Sequence, residues 1–233
     1  MDLPCPANLG DLCRAIDHYC ERTGPGLWAE PVNALTNLAF PLGATFLWSK
    51  RRSTRDRGLM TALLLAMAAV GFGSLLFHTV ATRWTEWGDV LPILVFILLY
   101  LWFVLTRLVE LPAWPTLCIL LMFFIATFGL EAWVPGDVLW GGALYLPTLL
   151  GFIIIGLLLR HRRHPAGPAM LAALCVFGTA FLFRSVDSGL CESFPLGTHF
   201  MWHILNATLL FLLLTAAIRF DREEAPGGKA VVP

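Results

Sequence analysis

Residues 73–89 read GSLLFHTVATRWTEWGD and place a serine, a histidine and an aspartate between two hydrophobic runs of a markedly apolar chain. Ser74 and His78 are four residues apart, so on a helix both side chains project from the same face. Asp89 follows a short polar turn and begins the next apolar run. The stretch therefore predicts a helical hairpin that brings Ser74, His78 and Asp89 to one depth.

The composition indicates a multi-pass membrane protein. Of the 233 residues, 58% are hydrophobic and only 14% are charged, and the mean hydropathy is +0.73. Soluble domains usually carry about 25% charged residues. The formal net charge is zero, so nothing in the charge balance points to nucleic acid as a partner.

The apolar runs predict an all-α fold, an integral membrane bundle of seven transmembrane helices. A helix needs about 20 mostly apolar residues to cross a bilayer, and long unbroken runs of this kind are typical of helices rather than of a barrel. The predicted spans cover residues 31–49, 59–80, 88–107, 115–134, 138–160, 168–186 and 198–218.

The basic residues predict the orientation. Of the 16 lysines and arginines, 12 lie in the first, third and fifth loops or in the C-terminal tail, and cytosolic loops are those enriched in Lys and Arg. We therefore expect an extracytosolic N-terminal segment at 1–30, a seven-helix transmembrane domain at 31–218 and a cytosolic tail at 219–233. The residue usage favours a bacterial inner membrane, with the polar site near the extracytosolic face. The sequence does not indicate an oligomeric state.

Four cysteines fall on the predicted outer side, where disulfides persist. They are Cys5, Cys13, Cys20 and Cys191. Four cysteines allow three pairings, and the sequence alone does not choose among them. We favour Cys20 with Cys191, which would tie the N-terminal segment to the loop before the last helix, with Cys5 and Cys13 as the other bridge.

A second pair of polar residues lies at the same predicted depth as the hairpin. His199 and His203 are four apart at the start of the last span, and the topology brings them level with His78. Ionisable residues inside spans usually face a protein interior or a cavity. Three histidines at one depth suggest a metal site, and a catalytic zinc commonly has three protein ligands and one open position. Imidazole beside a carboxylate suits zinc best, although nickel, copper and iron also accept it.

These residues resemble the alkaline ceramidases, part of a superfamily of seven-span membrane hydrolases that includes adiponectin-receptor-like proteins and GPI-lipid-remodelling proteins. The resemblance covers nearly the whole chain, and the stretch YCERTGPGLWAEPVNALTNLAF at 19–40 favours ceramidases within the superfamily. The motifs that carry it are, in chain order, Glu30-x-x-Asn33-x-x-Thr36-Asn37, Ser74-x-x-x-His78, Asp89 and His199-x-x-x-His203.

The resemblance implies an amidase that hydrolyses the N-acyl bond of a membrane lipid such as ceramide. His78, His199 and His203 would hold zinc, which activates water at neutral pH. Asp89 would accept a proton from that water and pass it to the leaving amine. Ser74 would hydrogen-bond the water or the developing oxyanion.

The resemblance also raises the question of a second metal. Eukaryotic members carry calcium in the acidic N-terminal segment, and the candidates here are Asp17, Glu21 and Glu30. This chain has an extra residue between the aspartate and the cysteine, lacks an asparagine expected after the glutamate, and has a shorter spacing to Glu30. These departures weaken the expectation of calcium. A further departure, Thr36 where members have serine, keeps the hydroxyl.

The sequence leaves two alternative functions open. One is a related hydrolase of the same superfamily that cuts another acyl lipid. The other is a seven-span receptor with a structural metal site, against which Ser74 and Asp89 speak, because structural zinc sites are normally closed by four protein ligands.

Overall fold

The computed structural model describes residues 7–135 and 142–222, and across these residues the secondary structure is helical, with two isolated bridges between extended residues. The α-helices in chain order are α1 (Pro31–Thr36), α2 (Ala39–Leu47), α3 (Arg57–Val80), α4 (Arg83–Phe103), α5 (Ala113–Trp133), α6 (Leu146–His161), α7 (Ala166–Val186) and α8 (His199–Phe220). The shorter elements are 3₁₀ helices at Ala7–Cys13, Trp48–Ser53 and Ala143–Tyr145 and a π-helical turn at Val104–Leu108.

Six of the described helices, α3 to α8, are long and apolar enough to cross a membrane. The prediction of an all-α membrane protein is confirmed to that extent. The fifth predicted span, 138–160, begins on residues outside the described part of the chain. The first predicted span, 31–49, is not among these six described helices, so the count of seven spans stays a prediction.

The region expected to form the first span is helical but interrupted. It consists of α1 and α2, joined through Asn37 and Leu38, whose backbones keep right-handed helical angles. Pro41 explains the interruption, because proline has no N–H to donate to the carbonyl four residues earlier, which belongs to Asn37. That carbonyl accepts instead from the Phe40 N–H at 3.2 Å. The hydrogen-bond ladder is therefore broken while the chain continues in one direction.

The turn of the 73–89 hairpin is tighter than predicted. Ala81 ends α3 in a left-handed conformation with φ of 47°. The next helix begins at Arg83, where Thr82 and Thr85 form a capping box. The predicted start at residue 88 was therefore wrong by five residues, and Asp89 lies within the second turn of α4 rather than at its start.

Two glycines bring α3 and α4 into close contact beside the predicted site residues. A Cβ on Gly73 would collide with the carbonyl oxygen of Gly88. That carbonyl is also the one that Pro92 cannot bond within the helix. Close backbone approach at these glycines places the side chains of their neighbours, Ser74 and Asp89, next to each other.

The helices differ in how much of their surface the protein covers. Half of the apolar stretch of α8 is buried inside the protein, against 11% for α5. Helix α8 is therefore central and α5 peripheral. Large side chains that are almost fully buried fill the space between the central helices, among them Leu47, Met67, Phe103, Leu159 and Leu214.

The bundle has two chemically different ends. His78 is near the end of α3 and His199 is at the start of α8, so both lie at one end, which we call the histidine end. The opposite end carries residues 50–57, Arg107, residues 160–163 and Arg219, and we call it the basic end.

Candidate active site

The three predicted metal ligands lie together at the histidine end. The ring centroids of His78, His199 and His203 are 4.6 to 5.2 Å apart. One ligand atom from each residue lies within 4.8 Å of the other two. All three residues are at most 2% exposed. One turn of α8 and the last turn of α3 thus converge on a single point.

Unsatisfied nitrogens make this cluster a candidate metal centre. His78 Nε2 and His199 Nδ1 are buried and have no hydrogen-bond partner. Such atoms are rare in native proteins because desolvation without a partner is costly. Imidazole nitrogens with free lone pairs are ligands for zinc and related metals. The residues present therefore fit a metal ion.

Helix α1 and the residue before it orient two of the imidazoles. His78 Nδ1 lies 2.6 Å from Glu30 Oε2, and His203 Nδ1 lies 3.0 Å from Thr36 Oγ1. The Thr36 hydroxyl donates its own hydrogen to a backbone carbonyl of the preceding turn, at 2.8 Å from Val32. Both Nδ1 atoms therefore act as donors. This leaves Nε2 of each ring for an ion.

Glu30 is itself held by three groups. Its carboxylate accepts from Arg22 Nε, from His78 Nδ1 and from Asn33 Nδ2. Burial acts to raise the pKa of Glu30, but the hydrogen bond and charge of His78 and the charge of Arg22 outweigh it and hold the pKa below its ordinary value. Glu30 is therefore a carboxylate at neutral pH.

A cavity of about 110 Å³ borders the histidine cluster at His203. Ser74, Asp89 and His203 share its wall, and Asp89 Oδ1 is buried without a hydrogen-bond partner. The structure thus brings both predicted catalytic residues to the same cavity as a metal-ligand candidate. Most of the remaining wall is apolar and includes Phe40, Val70, Phe96, Phe152, Phe177, Trp202 and Leu213.

Asp187, at the end of α7, fixes the start of α8. Its Oδ1 accepts from the backbone N–H groups of Thr198 and His199, at 2.5 and 2.9 Å. A helix N-terminus leaves N–H groups unpaired and carries partial positive charge, so a carboxylate is a suitable cap. Gly197 is required beside it, because φ is +66° there and a Cβ would collide with Asp187. This cap positions His199.

The predicted disulfide between Cys20 and Cys191 is present, with Cα atoms 4.9 Å apart. The Cys20 N–H also donates to Asp187 Oδ2 at 3.1 Å. The N-terminal segment is therefore anchored beside the cap of α8. Cys5 lies outside the described residues, so its predicted pairing with Cys13 stays a prediction.

Tyr19 and Arg22, which lie on either side of Cys20 in the sequence, reach into the site. The sequence predictions assigned them no such role. The Tyr19 ring stacks on His199, with centroids 3.6 Å apart and planes at 19°. Burial raises the pKa of the Tyr19 hydroxyl, which therefore stays protonated. On the other side of the cysteine, Arg22 contacts Glu30 and the His78 carbonyl. Their position beside a disulfide-bonded cysteine was the available signal.

The three predicted calcium ligands do not come together as a group in the described part of the chain. Both oxygens of Glu21 accept backbone N–H groups at the start of α1, from Val32 at 2.7 Å and from Asn33 at 2.8 Å. Glu30 has the partners described above, and Asp17 is exposed. Glu21 thus caps α1 as Asp187 caps α8. The calcium site stays a prediction that these contacts do not favour.

Comparison with known proteins agrees with this arrangement. A search of curated proteins finds no match. The family model described as Ceramidase matches residues 18–229. That match begins at the edge of the Tyr19–Arg22 segment and includes both helical hairpins that carry the histidines. The chain therefore belongs to the ceramidase family.

Proposed function

We propose that this protein is a zinc-dependent membrane amidase, which hydrolyses the N-acyl bond of ceramide-like lipids to a sphingoid base and a fatty acid. The observation that carries the proposal is the cluster of three buried histidines, one of which, His203, lines a cavity together with Ser74 and Asp89. Membership of the ceramidase family supports the amide bond as the one that is cut.

His78, His199 and His203 would hold the ion, and their number leaves an open position, as catalytic zinc sites have. Bound zinc would supply a Lewis acid and activate water near neutral pH. Imidazole ligands with a nearby carboxylate favour zinc over harder cations such as magnesium.

Asp89 is the proton carrier in this proposal. It lies in the cavity with one oxygen unpaired, so it can accept a proton from the attacking water. It can return that proton to the amine when the C–N bond breaks. The neighbouring Ser74 hydroxyl donates a hydrogen bond to the acyl oxygen as negative charge develops there.

The cavity wall suits a lipid. Its aromatic and aliphatic side chains can cover alkyl chains, each methylene of which costs about 0.8 kcal/mol to expose to water. A substrate of this kind stays in the bilayer, and a site inside the helix bundle can receive it there. Of the 16 arginines and lysines, 12 lie in the loops and tail that are predicted to be cytosolic, which supports an extracytosolic position for the histidine end. By our proposal the membrane is a bacterial inner membrane.

The test is product identification by mass spectrometry after the purified protein is incubated with a panel of N-acyl sphingoid lipids and acyl-ester lipids. We expect free fatty acid and sphingoid base, and about one zinc per chain by metal analysis. The double variant His199→Ala/His203→Ala should lose both the bound zinc and the release of products. His161 is an exposed histidine at the basic end, and His161→Ala should retain both.

The outcomes separate the alternatives. Release of fatty acid from an ester lipid only would favour a related hydrolase. Full zinc content without hydrolysis of any acyl lipid would favour a receptor with a structural metal. Zinc retained by the double variant would remove the metal assignment itself.

A further inference from the structure

Arg22 is a buried arginine whose whole guanidinium is engaged at the histidine end. Its side chain is 5% exposed. Nε donates to Glu30 Oε1 at 2.5 Å, Nη2 donates to the backbone carbonyl of His78 at 3.0 Å, and Nη1 donates to the Gly24 carbonyl at 3.2 Å. Arg22 therefore contacts His78 directly through the backbone and indirectly through Glu30.

Glu30 connects this arginine to the imidazole of His78. One carboxylate oxygen faces Arg22, and the other lies 2.6 Å from His78 Nδ1. A carboxylate that accepts from the outer nitrogen of a metal-binding histidine fixes the tautomer and orientation of the ring and increases its basicity. The carboxylate can do this only if it keeps its place and its charge.

A buried carboxylate needs a compensating cation, because an unpaired charge in the protein interior is strongly unfavourable. Arg22 is the cation that the described residues place against Glu30. Lysine could balance the charge, but arginine has a planar fork of donors that can bond the carboxylate and the carbonyl at the same time. The two bonds fix both the side chain and the backbone of His78.

We infer that Arg22 is a positioning residue for the metal centre: it holds His78 in ligating geometry through Glu30 and the His78 carbonyl. Arg22 also supplies the positive charge that the buried Glu30 carboxylate requires. The inference rests on the proposed function only in taking His78 as a metal ligand. It predicts that no diffusible cation is needed next to Glu30.

The first experiment measures zinc affinity and not turnover. The variants Arg22→Met and Arg22→Lys are purified, and their zinc dissociation constants are measured by competition with a chromophoric chelator. Loss of an outer-shell partner typically weakens metal binding about 10- to 100-fold, and we expect this for Arg22→Met with a smaller loss for Arg22→Lys. The visible spectrum of the cobalt-substituted protein should shift in Arg22→Met, because the ligand field changes when the His78 ring turns.

The matched control is Arg14→Met. Arg14 lies in the same N-terminal segment, but its side chain is 62% exposed and its ion pair with Asp11 spans 4.0 Å. Zinc affinity and the cobalt spectrum should be unchanged in this variant. Unchanged zinc affinity in Arg22→Met as well would overturn the inference.

A second variant separates positioning from charge balance. Arg22→Met leaves Glu30 buried and unpaired, whereas Arg22→Met/Glu30→Gln removes both charges, and replacement of a whole buried pair is often neutral for stability. We expect the double variant to regain the thermal unfolding temperature but to bind zinc more weakly than Glu30→Gln alone, because Arg22 also holds the His78 carbonyl. Zinc affinity equal to that of Glu30→Gln would mean that Arg22 only balances charge.

Metal addition tests whether the Arg22 side chain makes a diffusible cation next to Glu30 unnecessary. After all metals are removed, zinc alone should restore the full unfolding temperature, because a ligand that binds the native state stabilises it. Millimolar calcium added afterwards should cause no further shift in the wild-type protein, and a clear calcium-dependent rise would contradict this part. These readouts need no substrate, so a protein that binds zinc but hydrolyses nothing would refute the proposed function and leave the role of Arg22 standing.

Discussion

Two arginines at opposite ends of the helix bundle pair with carboxylates, and their surroundings differ. At the histidine end, the side chains of Arg22 and Glu30 are 5% and 3% exposed. At the basic end, Arg107 lies 3.5 Å from Asp56, and these side chains are 44% and 39% exposed. Charges at the surface remain hydrated and screened, so such a pair contributes little. A buried pair is costly to break, and the one at the histidine end contacts His78, the residue that we propose as a metal ligand.

The two ends also differ in what ties the chain together. At the histidine end, one disulfide, two acidic helix caps and the Arg22–Glu30 pair converge on residues 19–37 and the start of α8. At the basic end, Arg107 lies 3.8 Å from Asp221; the Asp221 side chain is 3% exposed, but that of Arg107 is 44% exposed. The histidine end therefore has a covalent link and an ion pair buried on both sides, which the ion pairs of Arg107 lack.

The largest effect is expected from Asp89→Asn. The amide cannot accept a proton, so turnover should fall by about 10²- to 10⁴-fold, the usual contribution of a general acid or base. Zinc content should stay at the wild-type value, because the three histidines are untouched. The measurements are steady-state rates and metal analysis. An Asp89→Asn protein with wild-type turnover would rule out the proton-transfer role.

Cleavage of the Cys20–Cys191 disulfide should be next in size. The variant Cys191→Ser should lose about 2–4 kcal/mol of unfolding free energy, the typical contribution of a disulfide. Zinc affinity should fall too, because Tyr19 is adjacent to Cys20 and Arg22 lies two residues after it. Chemical unfolding and chelator competition measure the two effects. Cys118→Ser is the control, since Cys118 is a free cysteine on α5, and equal losses in both variants would contradict the anchoring role.

A smaller effect is expected at the cap of α8. Asp187→Ala removes the acceptor of the Thr198 and His199 N–H groups, and loss of a cap costs about 0.5–2 kcal/mol. Zinc binding should weaken because His199 is the first residue of the helix. Asp187→Asn keeps an oxygen for that cap and should retain most of the affinity. Thermal unfolding measures the stability of the two Asp187 variants, and zinc titration measures their affinity.

The smallest effect is expected at the basic end. Arg107→Ala removes a 44% exposed side chain, and its buried partner Asp221 keeps the Asp56 N–H as a donor. The unfolding free energy should therefore change by about 1 kcal/mol or less, and zinc affinity should not change. Chelator competition and thermal unfolding provide the measurements. A loss of zinc affinity in this variant would show that the two ends are coupled, and the contrast between them would then be incorrect.

The sequence was sufficient for the parts of the site that follow from helical periodicity. Ser74 with His78, and His199 with His203, are each one turn apart, so their shared faces needed no tertiary information. The interruption at Asn37 could have been foreseen from Pro41, and the early start of α4 from Thr82 and Thr85. The hydropathy pattern predicted neither feature, because it locates apolar segments and carries no information about backbone hydrogen bonds.

The amino-acid order by itself determined the apolar spans, the depth of the histidines and the cysteines that could pair, because these depend on local hydropathy, on helical spacing and on which side of the membrane each loop lies. The roles of Tyr19, Arg22 and Asp187 were decided only by the tertiary structure. Each acts on a residue far away in the chain, as Arg22 does on His78. Distance in sequence carries no information about such contacts until the helices pack, and close packing at Gly73 and Gly88 and the Cys20–Cys191 bridge are what bring those residues together.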